Sequence, residues 1–209
     1  MGVLHNELKR AGGIQAALQN ALGMKSGGIE RAGETMTPVM DLWSLPEWQV
    51  LRNETPGAAR VSQAAVPAEF SIVALVNPAV NANMIVVVEQ AGFQGTGANG
   101  GHLEMALESQ AVATLGAGTA TVSRDRRVPS ICRTTTRLGS DPAATLGGQP
   151  IDTILPIAAG TKVNFDALPV ILIPGQCLAI ICATVNVGML AMFRFRERVA
   201  LPGELLTKT

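Results

Sequence analysis

The run Gly95-Thr96-Gly97-Ala98-Asn99-Gly100 has the spacing of a dinucleotide-binding loop and follows the apolar stretch Met84 to Val88. Such a loop works by turning on glycine directly after a strand, so that backbone amides and a helix N-terminus receive a pyrophosphate, with an acid about 20 residues on for the ribose. Here Glu89 to Gln94 separate the apolar stretch from the first glycine, and no acid lies between Glu108 and Asp125. The expectation is therefore a Gly-rich connection over 92–101 between two strands, its tip at a subunit contact, with no cofactor. The two histidines, His5 and His102, are far apart in the sequence, and His102 at i shares a strand face with Glu104 at i+2, which offers two metal ligands. A closed site needs three or four, and no Cys-x-x-Cys or further histidine supplies them, so no metal site is expected.

Nucleophilic chemistry fares no better. No serine is flanked as Gly-x-Ser-x-Gly, no Gly-x-x-x-x-Gly-Lys occurs, and tyrosine is absent. Cys132, Cys177 and Cys182 are too few and too oddly numbered for a disulfide framework; they read as buried thiols of a protein made in a reducing cytoplasm. No residue is assigned a catalytic role, and the chain reads as non-enzymatic.

Charge carries more information. Lys plus Arg and Asp plus Glu both number 16, so the net charge is zero, and only 15% of residues are charged against 47% hydrophobic. With so little self-repulsion the chain should associate with copies of itself. Five of the twelve arginines, Arg124, Arg126, Arg127, Arg133 and Arg137, fall within 14 residues. Arginine favours fixed, bidentate contacts, which suits salt bridges across a subunit interface. A nucleic-acid surface and an exposed segment without a partner are the alternatives, but zero net charge and only seven aromatic residues argue against nucleic acid.

The elements that position these residues read as strands. Short apolar runs separated by Gly, Pro, Asn and Asp occur at Phe70 to Val76, Met84 to Glu89, Leu103 to Leu107, Thr119 to Val122, Ser130 to Thr135, Ile151 to Leu155, Val170 to Ile173, Gln176 to Ala183 and Gly188 to Arg198. Their spacing, with no long amphipathic helix between them, predicts an all-β fold over 67–209, an antiparallel β-sandwich or barrel. In the last run Ala191, Phe193 and Phe195 should face a core and Arg194, Arg196 and Arg198 the opposite side. The span from Asp166 to Arg194 holds no charge between its ends, but Pro169, Pro174-Gly175 and Asn186 divide it into strand-length pieces, so it predicts buried strands and no membrane span. Residues 1–66 read as an extended, partly helical N-terminal arm. A weak helix is expected from Leu4 to Leu22, and Trp43 and Trp48 pin the arm to its own domain or to a neighbour. No basic stretch followed by an apolar one opens the sequence, so no secretory leader is expected.

Two stretches, Met36 to Trp48 and the hairpin-like Ile171-Leu172-Ile173-Pro174-Gly175-Gln176-Cys177-Leu178 through Asn186 to Phe193-Arg194-Phe195-Arg196-Glu197-Arg198, resemble small β-sandwich structural proteins of tailed bacteriophage virions. The resemblance covers about a third of the chain. It implies a jelly-roll-like sandwich located in the virion, present as a homo-oligomer with a trimer favoured over a ring, and bound to the major capsid protein or other virion proteins. Its role would be capsid decoration (cement), or alternatively a neck or tail adaptor. A carbohydrate- or receptor-binding sandwich is a further alternative, opposed by the absence of Tyr and by the position of both tryptophans ahead of the sandwich. A cupin-like enzyme would need a histidine cluster that this sequence does not have.

Overall fold

A computed structural model of the chain describes residues 54–124, 131–165, 169–201 and 204–205. Eleven strands and one short helix follow in order: β1 (Thr55–Gln63), β2 (Phe70–Asn77), β3 (Met84–Gly95), β4 (Asn99–Leu107), α1 (Glu108–Thr114), β5 (Thr119–Ser123), β6 (Ile131–Asp141), β7 (Gln149–Ile157), β8 (Lys162–Phe165), β9 (Val170–Leu172), β10 (Gln176–Val185) and β11 (Met189–Val199). All nine strands expected from the apolar runs are present. The sheet starts at Thr55, ahead of the expected boundary at Pro67. The expected helix from Leu4 to Leu22, and Trp43 and Trp48, lie outside the described residues.

Every ladder is antiparallel, and the strands form one sheet in the order β7-β4-β10-β2-β6-β5-β1-β11-β3-β8, with β9 also on β3. The end strands β7 and β8 follow each other in the chain and touch, so the sheet is nearly closed, like a barrel. Hydrogen bonding therefore runs continuously instead of stopping at the borders of two separate sheets. The β5–β6 hairpin is what bridges them: β6 pairs with β2 while β5 pairs with β1.

The C-terminal strands do not form the hairpin that their order suggests. β10 lies between β2 and β4, whereas β11 lies between β1 and β3. The three-residue link Asn186 to Gly188 carries the chain from one half of the barrel to the other, with Asn186 at φ 61 and its Oδ1 accepting from the Ala68 N–H at 2.7 Å. Gly175, at φ +82, makes the same kind of crossing between β9 and β10. Buried Asn77 ties such a corner together, donating from Nδ2 to the Met84 carbonyl at 3.0 Å and the Leu172 carbonyl at 3.1 Å.

The expected Gly-rich connection is mostly strand. Gly92, Gly95, Gly100 and Gly101 belong to β3 and β4, and only Thr96 to Ala98 turn. Glycine is required here by close approach: a Cβ on Gly100 would stand 2.7 Å from the Ile154 carbonyl oxygen, and one on Gly101 would stand 3.1 Å from the Phe93 ring.

The barrel interior is filled by Phe93, Phe193, Phe195, Leu103, Leu178 and Ile180, with Phe93 stacked on Phe165 at 5.7 Å between centroids. A second core lies outside the barrel wall, where Ile72, Ala74, Val76, Cys177, Ala179 and Ile181 pack beneath Ala111 and Leu115 of α1 and its flank and Leu146 of the β6–β7 loop. Strands β2 and β10 are thus covered on both faces, which is why they read as unbroken apolar runs. Among the described residues no helix is long and apolar enough to cross a membrane.

Two-sided cover makes neighbouring positions equivalent. Ile180 faces the interior and Ile181 the outer core, and both are fully buried. Ile180→Ala and Ile181→Ala should each lower stability by about 2–5 kcal/mol in denaturant unfolding. A loss at Ile181 no larger than a surface substitution would show that the outer core does not form.

Candidate functional site

Among the described residues three glutamates are buried, Glu54, Glu104 and Glu197, and each is used to tie elements together. Glu104 stands on the outer face of β4, level with Ala179 of β10. It accepts from the Leu146 N–H at 3.0 Å, the Gly148 N–H at 2.6 Å and the Thr145 hydroxyl at 2.8 Å, which clamps the β6–β7 loop over the outer core. A buried carboxylate is tolerated only with such donors around it. Gly148 is obligatory beside it, since a Cβ there would lie 2.2 Å from the Met105 carbonyl oxygen. His102 Nε2 reaches the same carboxylate at 3.3 Å, so the i and i+2 pair does share a face. Among the described residues no group of three His, Cys, Asp or Glu is placed to hold a metal.

Glu197 occupies an inward position of β11, in sequence with Ala191, Phe193 and Phe195. It crosses to β6, accepting from the Thr134 N–H at 2.5 Å, the Thr134 hydroxyl, and the Arg133 N–H at 3.1 Å. Burial, and next the Glu197 charge, push the neighbouring Cys132 thiol up to about 11. Cys177 is pushed up to about 12, chiefly by burial, and Cys182 is raised for the same reason. All three cysteines are free and buried, as expected, and held as thiols they are poor nucleophiles.

The arginine cluster turns out to be the β5–β6 hairpin, and its members divide. Arg124 is exposed at the end of β5, where its N–H bonds the Pro56 carbonyl at 2.7 Å. Arg133 is exposed on β6. Arg137 is half-buried and pairs with Glu108 at 3.3 Å, while the other Glu108 oxygen accepts from the Ala79 N–H at 2.7 Å. That pair fastens the start of α1 to β6 and to the β2–β3 corner. Arg126 and Arg127 lie outside the described residues.

On β11 the alternation holds: Ala191, Phe193 and Phe195 are buried while Arg194 is exposed and Arg196 and Arg198 are half-buried. Arg196 bonds Glu54 at 3.0 Å and lies 3.6 Å from Glu89. Arg198 grips Glu204 through two contacts of 2.7 and 2.6 Å. Arg194 joins Arg60 of β1 and Lys162 of β8 on the outer face of β8-β3-β11-β1, around a groove of about 250 Å³ lined by Arg60, Phe93, Gln94, Lys162, Leu190 and Met192. Sequence reasoning did not find this set, because two of its three cations sit on strands too polar to be recognised. No family model, no curated protein and no solved structure matches the chain.

The C-terminal clip gives a direct electrostatic test. Hydrogen bonds from Arg198, then from the Leu201 N–H at 2.6 Å, hold the Glu204 carboxyl down at about 2 against an ordinary 4.5. A depressed folded value means the clip's contribution is complete above about pH 4.5 and is lost as pH falls toward 2. An NMR titration of the Glu204 carboxyl should show its midpoint near 2, returning to near 4.5 in Arg198→Ala. An unshifted midpoint in the unmodified chain would mean that the clip does not form.

Proposed function

We propose that this chain is a non-enzymatic structural protein of a bacteriophage virion, built as a jelly roll and serving as a capsid decoration, or cement, protein. The observation that carries the reading is the pairing order. With the bridging hairpin β5–β6 and the short β9 set aside, the remaining eight strands in chain order pair first with last, second with seventh, third with sixth and fourth with fifth. The third and fourth also pair with the eighth and seventh. An antiparallel ribbon wrapped into a barrel generates that order, and it is the order of the jelly rolls used in viral capsids, lectins and cupins.

The interior separates these uses. Phe93, Phe193, Phe195 and their neighbours fill the space in which a cupin holds its metal and substrate. Of the buried carboxylates, Glu104 and Glu197 are occupied by backbone donors and Glu54 by Arg196, and burial raises the thiols out of the reactive range. What the barrel has to offer lies on its outside, which suits cohesion between subunits better than turnover. Virion membership rests on the resemblance of the arm and the C-terminal strands to phage structural sandwiches.

Light scattering on the full-length chain, followed by co-sedimentation with empty heads of the major capsid protein from the same virion, tests the reading. A trimer that binds heads at a copy number comparable to the capsid protein itself is expected. A higher ring binding in a few copies would assign the neck or tail instead, and a monomer that binds no head would overturn the virion assignment.

A further inference from the structure

The two outer faces of the barrel are treated differently by the chain. The face of β7-β4-β10-β2 is covered by α1 and the Leu146 loop, clamped down by Glu104 and Glu108. The face of β8-β3-β11-β1 receives no such cover from the described residues. Its floor is Leu190 and Met192, both half-buried, and around them stand Arg60, Lys162 and Arg194. Among the described residues none of the three cations forms an ion pair, and the acids nearest them, Glu54 and Glu89, are engaged by Arg196. In a chain of zero net charge, three uncompensated cations on one sheet face must be balanced by acids elsewhere.

The sequence contains such a counterpart. Between Arg31 and Arg52 the chain has no Lys or Arg but three acids, Glu34, Asp41 and Glu47. The same stretch is rich in large apolar side chains, among them Met40, Trp43 and Trp48. Its charge and its apolar content are the complement of the bare face, three negative groups interspersed with side chains able to cover Leu190 and Met192.

We infer that the outer face of β8-β3-β11-β1 is the docking surface for the acidic segment 32–51 of a second copy of this chain. The inference rests on the proposed self-association and names the surface that receives it. Arg60, Lys162 and Arg194 select the segment by charge, and Leu190 and Met192 take its apolar side chains. With screening over about 8 Å at physiological salt, the contact weakens as salt rises.

A charge-swap in the full-length chain tests this, read as the concentration at which light scattering shows half-association. Arg60→Glu, Lys162→Glu and Arg194→Glu together should raise that concentration at least about tenfold, as should Glu34→Lys, Asp41→Lys and Glu47→Lys together. The chain carrying all six changes should return to within a few fold of the unmodified protein. Circular dichroism melting checks that each variant folds, and the neutral set Arg60→Gln, Lys162→Gln and Arg194→Gln, expected to weaken association less, replaces the reversed face if that set does not fold. If reversing or neutralising the face leaves association unchanged while reversing the segment weakens it, the segment docks elsewhere. Self-association then stands and this surface assignment falls. Failure of the six-fold variant to recover also overturns the pairing, and an unmodified chain that stays monomeric at every concentration removes both this inference and the reading beneath it.

Discussion

Strand β10 must be hidden from water on both of its faces, and most of the architecture follows from that requirement. From Cys177 to Cys182 every side chain is buried, the even positions against the aromatic interior and the odd ones against α1 and Leu146, except that Cys182 accepts from Asn99 where the pairing of β10 with β2 shifts register. Each large aliphatic residue so placed contributes roughly 1.5–3 kcal/mol relative to exposure. Closure of the barrel covers one side of the strand. The other side needs a lid, and a seven-residue helix and a loop cannot hold themselves in place through propensity. Glu104 supplies part of what is missing, because a carboxylate that has lost its water has to be satisfied by the backbone N–H groups of the lid, and Glu108, on α1 itself, anchors the helix to the Ala79 N–H and to Arg137.

The same device recurs at the end of the barrel where residue 54 enters. Glu54 lies buried between Arg196 and Arg198, and Glu197 reaches through the interior to the backbone of β6. Gly57 allows the Phe195 ring to lie against β1, for a Cβ there would stand 2.4 Å from the ring. The β5–β6 hairpin is thereby fixed from within by Glu197 and from its edge by β1. Strand closure, lid and hairpin all use polar groups internally, whereas Arg60, Lys162 and Arg194 on the face of β8-β3-β11-β1 form no ion pair among the described residues.

Much of this was legible from the order of residue types. Nine strands were visible as apolar runs, and the parity of β11 was right to the residue. Glu197 could have been recognised there, as a carboxylate in an inward position of an otherwise apolar series. β1 and β8 were not legible, because Thr55-Pro56-Gly57 reads as a turn and Lys162-Val163-Asn164-Phe165 offers only two apolar residues. Helix α1 is too short to show a period. The glycines of 92–101 and the Pro174-Gly175 and Asn186 turns signalled the wrong topology for a common reason. A local sequence marks where the backbone bends or is approached closely, but which strand lies across the bend is decided by pairing far along the chain. The cationic face is a product of that long-range pairing, assembled from residues 60, 162 and 194.

The unequal cover of the two faces is most directly measured by hydroxyl-radical footprinting of the methionines at protein concentrations above and below association. Met192, half-buried on the bare face, should oxidise readily in dilute protein and become protected as the chain associates, while Met84, half-buried at the far end of β3, reacts equally at both concentrations. Equal oxidation of Met192 across the whole range would contradict the assignment of that face to a neighbouring subunit.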